Sequence, residues 1–303
     1  MKNHAFVAVL VLSLAACQNF APRATTHKAP PATGTILGVY DNHEQVWLAR
    51  SREAAVVVPH LRITLEATGQ RGWTLWQVEL TGSQPLSATW AMREEAGAVP
   101  MLVPYRALVA TPARGKDFDP AQWAVLDACT LRGAADATTF TGDAATCTVL
   151  APGIGAQMAL LPLAVTREGE WLRVRLYSDQ ARGAAAREDL RRVQVFTGWA
   201  AINGGGPKAA ADSRDWHMDR ALRIDNEGGR YPLRWRDGAA SGYALELERV
   251  TYQDGNIPVL KLAVVEEASG QTLAYAWTDP QGGRIGINLG WVQVGLERAD
   301  AAR

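Results

Sequence analysis

The sequence predicts an all-β protein: an antiparallel barrel or sandwich followed by a second, smaller antiparallel unit. Three observations lead there. His60-Leu61-Arg62-Ile63-Thr64-Leu65-Glu66 alternates strictly, with Leu61, Ile63 and Leu65 on one face, the period of a half-buried strand. Short stretches of the same kind recur along the chain with turn signals between them, the spacing of hairpin-built all-β folds. Eleven Trp are spread over the chain rather than clustered. Aromatic surface on that scale fills a β interior or lines a pocket, and spacing alone leaves both open.

Taken in order, the chain opens with MKNHAFVAVLVLSLAAC. Lys2 is the positive n-region, Ala5 to Leu12 is an apolar run too short to span a bilayer, and Leu14-Ala15-Ala16-Cys17 closes it with small residues before a cysteine. This is the anatomy of a secretory signal over residues 1–16, ending in a bacterial lipobox. Cys17 is the expected lipidation site, and Gln18 after it favours the outer membrane, with the protein facing the periplasm. The three acyl chains that a lipobox cysteine receives make a stable anchor. Residues 17–34, rich in Pro, Ala and Thr, read as a flexible tether.

From Thr35 the pattern changes. Thr35–Tyr40 is strand or helix, and Glu44–Ala54 has helical spacing. The His60 strand leads through Gly69-Gln70-Arg71-Gly72 into a second strand, Trp73–Leu80, as a hairpin. Ser87–Arg93 and Met101–Ala110 continue the series. Asp119-Pro120 is an N-cap with Pro at N1, opening a short helix that carries Trp123 toward Cys129. Thr138–Thr141 and Thr146–Leu150 read as strands. Leu160–Arg167 and Trp171–Tyr177, joined by Glu168-Gly169, form a clear hairpin. Residues 181–192 read as helix or loop. Asn203-Gly204-Gly205-Gly206-Pro207 breaks the pattern and divides a first domain (35–206) from a second (207–303). The second holds a meander, Tyr243–Tyr252, Pro258–Glu266 and Thr272–Thr278, and Arg284–Leu296 as a strand pair or one bent strand.

Composition narrows the function. Loss of residues 1–16 removes only Lys2 from the charged set, leaving 30 basic against 31 acidic side chains. That balance argues against nucleic acid and against a polybasic membrane patch. With Cys17 lipidated, Cys129 and Cys147 remain in an oxidising compartment, and a disulfide closing a small loop is expected. There is no Gly-x-Ser-x-Gly, His-Glu-x-x-His, P-loop or spaced Cys/His metal set, so no metal site is expected.

Four local features carry polar chemistry. Asp41-Asn42-His43-Glu44-Gln45 is either a capping box (Asn42, Gln45) at a helix start or a polar cluster at a site. His60 and Arg62 share one strand face, pointing into a barrel if Leu61 and Ile63 pack outward, or to solvent if not. A buried Arg62 would require an anion, from Glu79 on the facing strand or from a ligand. Trp73 and Trp76 share the strand of Glu79, and Asp179 ends the last hairpin of the first domain.

The order of these features resembles the CpcT/CpeT family of phycobiliprotein chromophore lyases: Asp41-Asn42-x-Glu44-Gln45, then Pro59-His60-Leu61-Arg62-Ile63, Gly72-Trp73-Thr74-Leu75-Trp76-Gln77-Val78-Glu79, Leu126-Asp127-Ala128-Cys129, Phe140-Thr141-Gly142 and Cys147. The resemblance covers residues 34–206. It implies a calyx-like antiparallel β-barrel that holds a bilin, a linear tetrapyrrole, and passes it to a cysteine of a phycobiliprotein. Carried over, Asn42, Gln45, His60, Arg62, Glu79 and Asp179 line the cavity. Arg62 would meet propionates, Glu79 or Asp179 the ring nitrogens, and Trp73 and Trp76 the apolar body. Two positions depart from the family: Leu80 replaces a Gln after Glu79, and Pro85-Leu86-Ser87 replaces Pro-Tyr-Arg. The expectation is an envelope lipoprotein with a small amphipathic ligand, possessing or lacking lyase activity. The alternative is a non-enzymatic structural or interaction lipoprotein whose barrel is filled with side chains.

Overall fold

Alternating burial builds the first half of the molecule. A computed structural model describes residues 36–53, 57–82, 85–134, 138–147, 155–183, 186–252 and 256–299, all within one compact unit. The signal segment, Cys17 and the tether lie outside the described residues. Strands β1 (Gly38–Asp41), β2 (His60–Ala67), β3 (Trp73–Thr81), β4 (Leu86–Glu95), β5 (Met101–Ala107), β7 (Leu131–Gly133), β8 (Thr139–Thr141), β9 (Pro162–Glu168), β10 (Trp171–Leu176) and β11 (Glu188–Arg192) close a ten-stranded antiparallel barrel, with β6 (Trp123–Val125) paired to the end of β5. β1 is the seam between the two ends of this segment, pairing with β2 through Tyr40↔Ile63 and with β11 through Tyr40↔Arg192.

Among the described residues, the barrel's inward faces meet in one large apolar cluster. Leu61, Ile63, Trp76, Val78, Trp90, Met92, Leu131, Phe140, Leu163, Val165, Val174 and Leu190 converge in one cluster and are almost wholly buried. The Trp90 indole N–H donates to the Leu160 carbonyl at 3.2 Å and the Trp76 indole N–H to Thr74 Oγ1 at 3.0 Å, so the rings bring no unpaired donor inside. The Cys129–Cys147 disulfide joins the same cluster. A smaller apolar group, Leu75, Val103, Tyr105, Phe118 and Trp123, sits on the barrel's outer surface beneath the segment around Phe118.

The second half is a sandwich. β12 (Val195–Asn203), β13 (Trp216–Asp225), β18 (Arg284–Asn288) and β19 (Val292–Arg298) form one four-stranded sheet in the order β13-β12-β19-β18. β14 (Glu227–Arg234), β15 (Ala240–Tyr252), β16 (Ile257–Glu266) and β17 (Thr272–Thr278) form the other, in chain order. Their inner faces share Phe196, Leu222, Ile224, Leu245, Leu247, Leu260, Leu262, Val264, Val294 and Leu296.

Several elements differ from the sequence reading. Residues 188–192, read as helix or loop, are strand β11, because β1 and β10 both offer it a hydrogen-bonding edge. Thr146 lies in a helical turn, α2 (Ala144–Cys147), not a strand, with Asp143 bonded to Thr146 and the Ala145 N–H; residues 148–150 lie outside the described set. After Asp119 comes only a single 3₁₀ turn, although Asp119 does cap it through the Ala121 N–H at 3.0 Å. The chain passes from the barrel sheet to the next sheet between Arg192 and Val195, and Gly204–Pro207 lies between β12 and β13 of that second sheet.

Candidate functional site

The polar residues singled out by sequence converge, but on the outside of the barrel. Because Leu61, Ile63 and Leu65 point inward, strand geometry sends His60 and Arg62 outward. β1 ends there at Asp41, whose carboxylate is fully buried. Asp41 lies 2.7 Å from His60 Nε2, accepts Arg62 Nε at 2.8 Å, and accepts the His43 backbone N–H at 2.8 Å. Arg62 also donates to Asp225 of β13 at 2.9 Å. Burial opposes the Arg62 guanidinium, but Asp225 and Asp41 outweigh it and hold its pKa above the ordinary value.

Asn42 precedes helix α1 (His43–Ser51) without capping it through its side chain. Its Oδ1 accepts the Leu61 N–H at 2.7 Å, and its Nδ2 donates to the Pro59 carbonyl and to Glu188, each at 2.9 Å. Gln45 joins it at 3.4 Å and bridges to the Asp189 N–H and the Arg187 carbonyl. The capping-box reading thus gives way to a cross-strand clamp between β1, β2 and β11.

The clamp extends into the sandwich. Arg191 of β11 is 4% exposed and forks onto Glu227 of β14 at 2.7 and 2.9 Å, with Glu44 at 2.5 Å. Burial pushes the Glu227 carboxyl up to about 8, against the pull of Arg191. Arg249 of β15 forks onto Glu170, and His43 lies 3.2 Å from Glu248. Gly228 (φ +78°) is required beside that histidine, since a Cβ there would come within 2.4 Å of His43 Nδ1. With its charges mutually paired, this network joins barrel to sandwich.

The remaining sequence candidates disperse. Glu79 is on the outer face of β3, accepting from Gln77 at 2.6 Å; Arg62 lies opposite it in register yet bonds elsewhere. Trp76 is at the centre of the filled interior. Asp179, 2% exposed, accepts the Leu176 N–H at 2.7 Å. Among the described residues, no group of three or more His, Cys, Asp or Glu is placed to hold a metal ion, and no helix is long and apolar enough to cross a membrane.

A cleft that could hold a ligand opens instead where the barrel wall parts. β5 pairs with β4 only from Glu95↔Met101 to Trp90↔Arg106; beyond it, Ala107 turns to Trp123 of β6. The stretch Leu86–Thr89 is left with β3 as its one partner strand. The resulting cleft, of about 420 Å³, has Ala88 and Trp90 on its lining, Val109 and Pro112 beside them, and Arg106, Arg114 and Gln157 around it. Its volume is in the range of small-molecule sites. Arg114 is held by Gln77 at 3.1 Å and Thr89 at 3.3 Å, whereas Arg106 makes no side-chain hydrogen bond or ion pair among the described residues. No motif marks these residues in the sequence. The signal is the length mismatch between two strands, and it exists only once they pair. No family model, no curated protein and no solved structure matches the chain.

Proposed function

We propose that the protein is a lipid-anchored envelope protein whose β-barrel binds a small amphipathic acid in the β4–β5 cleft. The observation that carries this reading is Arg106: a guanidinium without a counter-ion among the described residues, opposite Trp90 in register, in a cleft of ligand size. A carboxylate would satisfy the fork, and an apolar body would cover Val109 and Pro112. A bilin, the ligand class implied by the resemblance to CpcT/CpeT lyases, is one such acid, with two propionates for Arg106 and Arg114. Transfer of a bound bilin to a partner's cysteine is the lyase step that the resemblance implies. The lipobox supplies the anchor at Cys17, in the outer membrane.

Tryptophan quenching of the full chain titrated with biliverdin tests the site. Saturable binding weakened about tenfold or more in Arg106→Ala, and unaltered in Arg62→Ala, is expected. Binding lost in Arg62→Ala alone would return the ligand to the clamp. No binding by the folded protein would leave the second reading, a structural or interaction lipoprotein, which the side-chain-filled barrel favours. Labelling with radioactive palmitate, lost in Cys17→Ala, tests the anchor.

A further inference from the structure

We propose that the outward face of the β14–β17 sheet binds a neutral glycan. β17 is the edge strand of that sheet, and its alternation is inverted relative to an ordinary solvent face. Leu273, Tyr275 and Trp277 take the outer positions at 40%, 52% and 57% exposure, while Ala274 and Ala276 alternate with them. Trp277 stands at the centre of a run of rings. Tyr275 is 5.4 Å from it on one side and Tyr252 of β15 is 5.9 Å on the other, with Trp47 of α1 a further 5.7 Å along. Exposed aromatic surface of this extent marks a recognition site.

The chemistry beside the rings narrows the partner. Tyr275 lies opposite Ala263 in register, and Ala244, Ala263 and Val265 form a fully covered bed of small residues. Around it, Arg230 pairs with Glu246 at 2.9 Å and approaches Glu267 at 3.8 Å; Lys261 pairs with Glu248 at 3.1 Å and lies 6.0 Å from the Tyr275 ring centre. These two cations are thus answered by carboxylates, which argues against anionic lipid or nucleic acid as the partner. Ion pairs interleaved with aromatic rings also fit poorly into hydrocarbon, where each charge would be desolvated. A pyranose matches both parts: its C–H face stacks on a ring, and its hydroxyls reach the carboxylates and guanidinium at the rim.

The test is co-sedimentation of the full chain with chitin, cellulose and insoluble mannan, beside vesicles of phosphatidylethanolamine and phosphatidylglycerol. Retention on at least one of the three polysaccharides is expected, falling about tenfold or more in Tyr275→Ala/Trp277→Ala. Both side chains are exposed, so the melting temperature of that variant should match the parent. Absence of retention on all three, or equal retention by the double variant, overturns the proposal. So does binding confined to vesicles, which would make the face a membrane-contact surface.

Discussion

Asp41→Ala is the sharpest test of the clamp. The substitution removes an acceptor that faces three donors, His60 Nε2, Arg62 Nε and the His43 backbone N–H, all within 2.8 Å. Breaking a fully buried ion pair costs about 3–5 kcal/mol. Here the carboxylate is fully buried but His60 and Arg62 are each 32% exposed, and Asp225 still holds Arg62. Water can reach part of what is left unpaired, so the expected loss is about 2–4 kcal/mol. For a chain of this length that lowers the melting temperature by roughly 4–7 °C. Urea unfolding followed by tryptophan fluorescence measures it. Biliverdin affinity should be unchanged, since none of these residues lines the cleft. A loss below about 0.5 kcal/mol, within the range of ordinary surface substitutions, would refute the assignment of these residues to a structural clamp.

Other expectations follow from the same geometry. Trp76→Ala should cost about 3–5 kcal/mol in urea unfolding, as for other large buried side chains; a cost under about 1 kcal/mol would mean that Trp76 lines open space. Cys129→Ala/Cys147→Ala removes a cross-link spanning 18 residues and should lower stability by about 3 kcal/mol, with an unchanged denaturation midpoint the contrary result. Stability should fall on both sides of an optimum in pH. Burial tends to raise Glu170 and Glu248, but Arg249 and His43 with Lys261 outweigh it and hold both below the usual 4.5, so their contribution is present above that pH and lost as pH falls through the folded values. Glu227 has the opposite sign: raised by burial to about 8, it stabilises the fold below 4.5 and loses that contribution as pH rises toward 8. Melting temperatures should therefore fall as pH rises from 4.5 to about 8, and Glu227→Gln should flatten that limb alone.

Local pattern determined much of the architecture. Alternation at His60–Glu66 and turn glycines at 69 and 72 define the β2–β3 hairpin, the Leu160–Tyr177 pair becomes β9 and β10, and the late meander becomes β15 to β17. Beyond Cys17 the sequence holds just Cys129 and Cys147, which suffices to name the disulfide. These features depend on neighbours in sequence, where the period of two and the turn residues operate. Tertiary structure decided the rest. Glu188–Arg192 is charged and lacks a strand's composition, yet it is held between β1 and β10, with Arg191 bonded to Glu44 and Glu227 from distant parts of the chain. Periodicity separates the two faces of β2 but does not say which one meets the core; the convergence of Leu61 and Ile63 with Trp90 and Phe140 does, and it turns His60 and Arg62 into a clamp. Arg106 and Trp90 acquire meaning only where β5 parts from β4, because a cleft is a property of the space between strands and no single strand encodes it.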